Sequence, residues 1–191
     1  MPAPSVAEQL RAIARALKPL KIRWYVFGAQ AVIAAGAIRQ TADIDITTED
    51  FPAARLQAAL ARAGYVLRAD IPGIAELIEH HRILPLQHRK TGFQLDVVRG
   101  GPGPEAQMLE RVIRRRVGRM LIPFVETNDL LVLKILAGRE KDLEDVRMLL
   151  RSKSPEIDAE VVKERLGELG RLLDDSTLVE LFEQQVRASE R

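Results

Sequence analysis

The sequence predicts an α+β fold, a mixed β-sheet flanked by helices and followed by a C-terminal helical subdomain. Short apolar or alternating segments typical of strands are mixed with helical segments up to residue 125, and only helical periodicity follows. The length of 191 residues fits one domain with a small helical addition. We therefore assign residues 1–126 to a core domain and residues 127–191 to a helical subdomain.

The individual elements follow from apolar spacing and from Gly and Pro. Leu10, Ile13 and Leu17 form one face of a helix over 6–17, which Pro19 ends. Further predicted helices span 30–35, 52–63, 105–117, 128–137, 140–150, 158–169 and 178–188. Predicted strands span 24–27, 43–46, 65–67, 83–88, 93–98 and 120–125.

Composition excludes several classes of protein. The chain has no Cys, which removes disulfides, thiolate metal sites and cysteine nucleophiles. Hydrophobic residues make up 47%, so a packed core is expected, and the 4% aromatic content argues against stacking platforms for bases. No segment approaches the ~18 apolar residues of a membrane span. We expect a cytoplasmic protein that makes no membrane contact.

Charge is distributed unevenly along the chain. Residues 1–125 hold 18 Lys/Arg and 11 Asp/Glu, whereas residues 126–191 hold 11 and 16. The basic part favours a polyanionic ligand such as a nucleotide or RNA, and a solvated surface with uneven charge is the alternative.

Three acidic residues in or beside apolar strands form the most informative pattern. Asp43 and Asp45 are two residues apart in a predicted strand and therefore face the same side. Asp96 lies in a second apolar strand. Neighbouring carboxylates repel each other unless a cation or protons intervene, and hard oxygen ligands suit Mg²⁺. If the strands are adjacent, the three acids can converge on two metal ions about 3.5–4 Å apart.

These residues resemble a known superfamily. The Gly28-Ala29 turn, the small-residue helix after it, the pattern Arg39-x-Thr41-x-Asp43-x-Asp45 and the strand acid Asp96 are similar to polymerase-β-type nucleotidyltransferases. The segment 134–145, KILAGREKDLED, resembles the third motif of the AbiEii-like branch, whose members are known as toxins of abortive-infection and toxin–antitoxin systems. The resemblance covers roughly residues 24–150 and implies a nucleotidyltransferase-type mixed sheet.

The resemblance also implies site roles. Asp43 and Asp45 would bind Mg²⁺, and Asp96 would complete a second metal site and accept the proton of the acceptor hydroxyl. The implied nucleotide-binding residues are Gly28, Ala29, Arg39, Thr41, Lys134, Arg139 and Lys141. The family's turn usually reads Gly-Gly or Gly-Ser, so with Ala29 only backbone N–H groups remain to contact phosphates.

The acceptor and the partners stay open at this point. The reaction expected is transfer of a nucleoside monophosphate from an NTP to a hydroxyl of RNA, with tRNA as one candidate, of a protein or of a small molecule. An antitoxin partner is implied by the resemblance alone. The alternatives are a catalytically weak binding module and a Mg²⁺-dependent phosphoesterase that uses the same acids.

Two basic features sharpen the expectations. In the helix predicted over 105–117, Arg111, Arg115 and Arg119 just beyond it share a face at i, i+4 spacing, which favours RNA phosphates. Lys134 follows an apolar run, so its ammonium is expected to extend from a packed helix towards the triphosphate. A solvated, salt-bridged helix face is the alternative interpretation of the segment around Lys134.

Overall fold

The computed structural model describes residues 5–41, 43–68 and 70–190. The chain divides into two compact units. The first comprises the described residues of Met1–Gln30 and Thr41–Phe124, and the second those of Ala31–Gln40 and Val125–Arg191. Every strand in the described part of the chain belongs to the first unit. The mixed sheet with flanking helices confirms the predicted α+β class.

A seven-stranded mixed sheet forms the centre of the first unit. Its strands are β1 Trp24–Phe27, β2 Ile44–Thr48, β3 Tyr65–Leu67, β4 Ile83–His88, β5 Gln94–Arg99, β6 Ile113–Val117 and β7 Met120–Phe124. The strand order is β3-β4-β5-β2-β1-β7-β6. The β1–β7 and β2–β5 pairs are parallel, and the other neighbours are antiparallel. The helices that begin in this unit are α1 Val6–Leu17, α2 Gly28–Ala34, α3 Ala53–Ala61, α4 Ile74–Glu79 and α5 Pro104–Glu110.

The N-terminal helix α1 has the bounds that its sequence predicts. Its first turn is fixed by a capping box, in which the Ser5 hydroxyl accepts from the Glu8 N–H and the Glu8 carboxylate accepts from the Ser5 N–H. The buried apolar face consists of Leu10, Ile13 and Leu17.

The central strands β2 and β5 orient the predicted site. Ile44 and Ile46 of β2 are fully buried, and so are Leu95 and Val97 of β5. Because successive side chains of a strand point to opposite faces, the residues between these apolar positions project from the other face of the sheet. The apolar side chains hold the strands in the core, and the polar side chains between them lie on the opposite face of the sheet, where they can bind a ligand.

The helix predicted over 105–117 is wrong in its second half. Helix α5 ends at Glu110, and the arginine-rich segment after it forms strand β6, which pairs antiparallel with β7 around Gly118. Gly118 has a φ of 62°, the left-handed conformation that hairpin turns require. Along β6 the exposed Arg114 and Arg116 alternate with half-buried residues.

The arginines expected on one helical face therefore do not form such a face. Arg115 lies in β6, Arg111 follows the end of α5, and Arg119 lies in the hairpin turn. The i, i+4 spacing has no meaning in a strand, because a strand repeats every two residues. The short helix α4 was also missed, because it has only six residues and contains no buried residue.

The second unit is helical in its described residues. Its helices after the sheet are α6 Thr127–Ala137, α7 Glu140–Arg151, α8 Ala159–Leu173 and α9 Leu178–Ser189. Glu126 caps the start of α6 and Asp158 that of α8, each through its carboxylate. In the part of the chain that the structure describes, no helix is both long enough and apolar enough to cross a bilayer.

Candidate active site

Two carboxylates lie side by side at the centre of the sheet. Asp45 on β2 and Asp96 on β5 are directly opposite each other in the parallel register. Paired positions of adjacent strands present their side chains on the same face, so both carboxylates project away from the buried Ile44 and Ile46. The structure thus brings these two acids together, as the sequence predicts, and their catalytic role stays a prediction.

Asp43 lies one residue before β2 and is exposed. Its carbonyl accepts a hydrogen bond of 3.1 Å from the amide of the buried Gln30, and its N–H donates to the Thr41 hydroxyl over 3.3 Å. Thr41, predicted to bind nucleotide, therefore makes a local contact at the entrance to the strand. The charge of Asp43 helps to raise the pKa of Asp96, so the carboxylates of Asp43 and Asp96 interact electrostatically.

Gly28 is pressed against the carboxylate of Asp45. It starts α2 with a φ of 63°, in the left-handed region. A Cβ atom built on it would stand 2.1 Å from Oδ2 of Asp45 and 2.9 Å from Cγ. Only a residue without a side chain allows this approach. The half-buried Ala29 follows in the first turn of α2.

Arg68 is a cationic neighbour of Asp96 that the sequence did not indicate. It follows β3, and its guanidinium forms an ion pair with Asp96. Burial raises the pKa of the Asp96 carboxyl, the Arg68 charge opposes this rise, and the Asp43 charge adds to it. The resulting pKa lies above the ordinary value of 3.8. Asp96 therefore holds a proton more readily than an exposed aspartate does.

The donor set fits a hard divalent cation. Among the described residues, no group of three His, Asp or Glu side chains is arranged as a complete metal site. Mg²⁺ rarely uses such a closed site, because it usually takes one or two carboxylates and completes its shell with water and substrate phosphates. Asp45 and Asp96 supply two carboxylates in register, with the charge of Asp43 nearby. These residues suit Mg²⁺ held together with a triphosphate.

The predicted basic residues of the second unit form a buried ion-pair network. The Lys134 ammonium lies 2.7 Å from Asp142 and 2.7 Å from Asp145. The guanidinium of Arg39 contacts Asp145, and that of Arg139 contacts Asp142. Both carboxylates are buried, with side chains 1% and 0% exposed.

The network gives Asp142 an unusual acidity. Burial alone would raise the pKa of its carboxyl, but hydrogen bonds from Arg139 and Lys134 and the charges of both cations outweigh burial. The pKa of Asp142 therefore lies below its ordinary value, and the carboxyl stays ionised. The segment around Arg139 is tied to the centre of the second unit by these contacts.

The position of Lys134 differs from the expectation. Its side chain is only 9% exposed and ends in an ion pair, so it neither extends freely from the helix nor belongs to a solvated face. The apolar run before it is the reason, because that run buries the whole helix around it. Lys141 is exposed. Contact of Lys134, Arg139 or Lys141 with a nucleotide stays a prediction.

Comparison with known proteins places this geometry in a family context. Residues 9–100, just under half of the chain, match the model of the aminoglycoside-2''-adenylyltransferase family. The matched range contains Gly28, the three acids and Arg68. A comparison with curated proteins finds no match.

Solved structures share the fold at low sequence identity. The antibiotic-resistance factor ANT(2'')-Ia is 14% identical with a TM-score of 0.62, over 88% of this chain and 92% of that one. An antigenic nucleotidyltransferase-like protein from Paracoccidioides brasiliensis is 16% identical with a TM-score of 0.55, over 95% of each chain. The lincosamide antibiotic adenylyltransferase LnuA, bound to lincomycin, is 16% identical with a TM-score of 0.51, over 74% of this chain and 94% of that one.

Over residues 9–100 the chain is similar to the aminoglycoside-2''-adenylyltransferase family, and it shares the fold of solved nucleotidyltransferases. The family match and the shared fold support nucleotidyltransferase activity. The matching family model is one of adenylyltransferases, so membership of the AbiEii-like branch stays a prediction.

The sequence indicates the acids of the candidate site but not the residues that pair with them. Arg68 reaches Asp96 across an intervening strand, and no local pattern in the sequence indicates such a contact. Asp142 and Asp145 lay within the recognised motif, and their spacing of three on a helix was the available sign that they act together.

Proposed function

We propose that this protein is a nucleotidyltransferase that moves a nucleoside monophosphate from an NTP to a hydroxyl of a small molecule. Asp43, Asp45 and Asp96 are the proposed carboxylates for Mg²⁺. The observation that carries the proposal is the register of β2 and β5, which sets Asp45 directly opposite Asp96. Two adjacent carboxylates on one face of a sheet repel each other unless cations neutralise them. Arg68 pairs with one of the two, and a metal–triphosphate complex supplies a further cation.

The small-molecule acceptor is favoured over RNA for two reasons. The matching family is named for transfer to an aminoglycoside, and LnuA is named for transfer to a lincosamide. The argument for RNA relied on a helical arginine face, and the structure has strand β6 in that place. A polar compound with several hydroxyls is therefore the acceptor class that we propose.

The protein's own groups have separate tasks in the transfer. Asp43, Asp45 and Asp96 would hold the metal, and Gly28, the first residue of α2, lies close enough to Asp45 to restrict that carboxylate. When bound, the Mg²⁺ ion neutralises triphosphate charge and lowers the pKa of the acceptor hydroxyl. Asp96, whose pKa is raised by its surroundings, accepts the hydroxyl proton.

The bonding changes balance without a further reactant. The acceptor oxygen forms a bond to the α-phosphorus, and the bond from that phosphorus to the bridging oxygen of the leaving group breaks. Pyrophosphate departs with the electron pair, and the hydroxyl proton is transferred to Asp96. The in-line arrangement requires the acceptor on the same open face of the sheet as the carboxylates.

The experiment is a labelling assay with each α-labelled NTP and Mg²⁺. The acceptors are supplied separately as a panel of aminoglycosides and other polyhydroxy compounds, as total RNA and as cell protein. We expect label on a small molecule and equimolar pyrophosphate. Label on RNA or protein would overturn the acceptor class but keep the reaction. Absence of label in every fraction, with a folded protein, would contradict the proposed activity.

A further inference from the structure

A row of side chains crosses three neighbouring strands and ends at a residue directly after a fourth strand, on the face of the sheet that carries Asp45 and Asp96. Asp45 on β2 is opposite Asp96 on β5, and Asp96 is opposite Pro85 on β4. The next position along the row is Arg68, directly after β3, whose N–H donates to the Pro85 carbonyl over 3.1 Å. Paired positions share a face, so Arg68 is in line with the two proposed metal ligands.

Arg68 is held in this row by several contacts. Besides its ion pair with Asp96, its Nη1 donates a hydrogen bond of 2.6 Å to Oε1 of Gln94. The side chain is only 16% exposed, and its Nε is buried without a hydrogen-bond partner among the residues that the structure describes. Pro85 lies in β4, the strand between β3 and β5, and has no polar side chain that would interrupt the contact of Arg68 with Asp96.

We infer that Arg68 is a positioning residue that competes with the divalent cation for Asp96 and thereby sets the metal affinity of the site. The inference rests on the proposed metal-binding role of Asp45 and Asp96. The guanidinium lies on one oxygen of the Asp96 carboxylate. A cation binding that carboxylate must displace the guanidinium or share the negative charge with it.

The charge balance gives the direction of the effect. Asp43, Asp45 and Asp96 bring three negative charges to this face, and Arg68 neutralises one of them. Replacement of Arg68 by a neutral residue leaves the full charge for the metal. If Arg68 only held Asp96 in place, its replacement would have the opposite effect, because Asp96 would become disordered and the metal would bind more weakly.

The test measures Mn²⁺ affinity by electron paramagnetic resonance, without nucleotide or acceptor. We expect Arg68→Gln to bind Mn²⁺ about three- to tenfold more tightly than the wild-type chain, the range expected for loss of a partly exposed competing charge. Arg68→Lys keeps the charge but lacks the forked guanidinium, so its Mn²⁺ affinity should fall between those of Arg68→Gln and the wild type. Arg23→Gln is the matched control, because Arg23 also pairs with carboxylates, those of Glu49 and Glu110. The Mn²⁺ affinity of this variant should equal that of the wild type.

The outcomes separate the two proposals. Unchanged or weaker binding in Arg68→Gln, with Asp45→Asn losing Mn²⁺, would overturn the inference and leave the proposed function intact. Equal Mn²⁺ binding by the wild type and Asp45→Asn would overturn the proposed metal site and the inference with it. Thermal melting should show Arg68→Gln less stable than the wild type without Mn²⁺ and closer to it with Mn²⁺. If Arg68→Gln does not fold, tighter binding by Arg68→Lys supports the inference, and unchanged or weaker binding overturns it.

Discussion

Replacement of Gly28 by Ala separates the geometry of the proposed site from the stability of the fold. The new Cβ would stand 2.1 Å from Oδ2 of Asp45, whereas real Cβ contacts essentially never fall below 3.0 Å. The carboxylate is the flexible end of its side chain, so it can rotate away at little cost in stability. It must then move by about 1 Å from the position opposite Asp96.

The expected magnitudes follow from these two effects. A displacement of about 1 Å at a reacting centre costs roughly a hundredfold in rate, so we expect Gly28→Ala to lose most of its transfer activity. The φ of 63° adds a separate cost of about 1–2 kcal/mol, because alanine is strained in the left-handed region. The melting temperature should fall by about 2–8 °C.

Gly73 provides the matched control. Its φ of 70° is nearly the same, and a Cβ atom built on it meets nothing within 4 Å. Gly73→Ala should therefore lose a similar amount of stability and keep its transfer rate. The assay is pyrophosphate release from NTP with an accepted substrate, run beside thermal melting for both variants. Full activity of Gly28→Ala, or an equal loss in Gly73→Ala, would refute the reasoning.

Three further outcomes concern buried polar contacts. Lys134→Met removes a cation from the carboxylates of Asp142 and Asp145 and should lower the free energy of unfolding in urea by about 3 kcal/mol. A loss below about 0.5 kcal/mol would instead be typical of a lysine on a solvated face. The pKa of Asp142 in the folded protein lies below its ordinary value of 3.8. The ionised carboxyl therefore stabilises the fold above pH 3.8, and this contribution is lost as the pH falls through the folded pKa. The stability of Asp142→Asn should accordingly fall less steeply with decreasing pH in this range than that of the wild type. Tyr65→Phe removes the hydroxyl that donates to the buried Gln9 over 2.7 Å and should cost about 1–2 kcal/mol by thermal melting, and an unchanged stability would mean that Gln9 is satisfied by water.

Elements with strong local signals follow the sequence closely. The segments 6–17, 24–27, 65–67 and 83–88 have the same bounds in the structure as in the sequence analysis. In each, apolar periodicity agrees with a nearby Gly, Pro or capping residue, so local preference and tertiary structure select the same conformation. The alternation of Ile44 and Ile46 with Asp45 likewise predicted which face is buried.

The segment after Glu110 shows that helix propensity alone did not predict the structure. Three arginines in a row have good helix propensity, whereas the β-branched Val112, Ile113 and Val117 around them favour a strand. The strand forms because Ile113 and Val117 pair with Phe124 and Met120 of β7, a hairpin partner that helix propensity does not take into account. Tertiary pairing outweighed propensity, and the proposed arginine face disappeared with the helix.

The site divides in the same way. The acids were predictable because carboxylates in apolar strands are costly and therefore conspicuous. Their pairing partners were not, since Arg68 reaches Asp96 through strand order and register that only the folded sheet defines. Lys134 was predicted to extend from its helix towards the triphosphate, whereas its burial against two carboxylates depends on how α6 and α7 pack.

The most direct test of the central claim compares Asp45→Asn with Asp50→Asn in Mg²⁺-dependent pyrophosphate release. Both substitutions remove one negative charge from the same segment of chain, but Asp50 is an exposed residue beyond β2 that pairs with Arg82. The account expects Asp45→Asn to lose Mg²⁺-dependent release while melting at or above the wild-type temperature, and Asp50→Asn to retain release. A folded Asp45→Asn protein with wild-type release would contradict it.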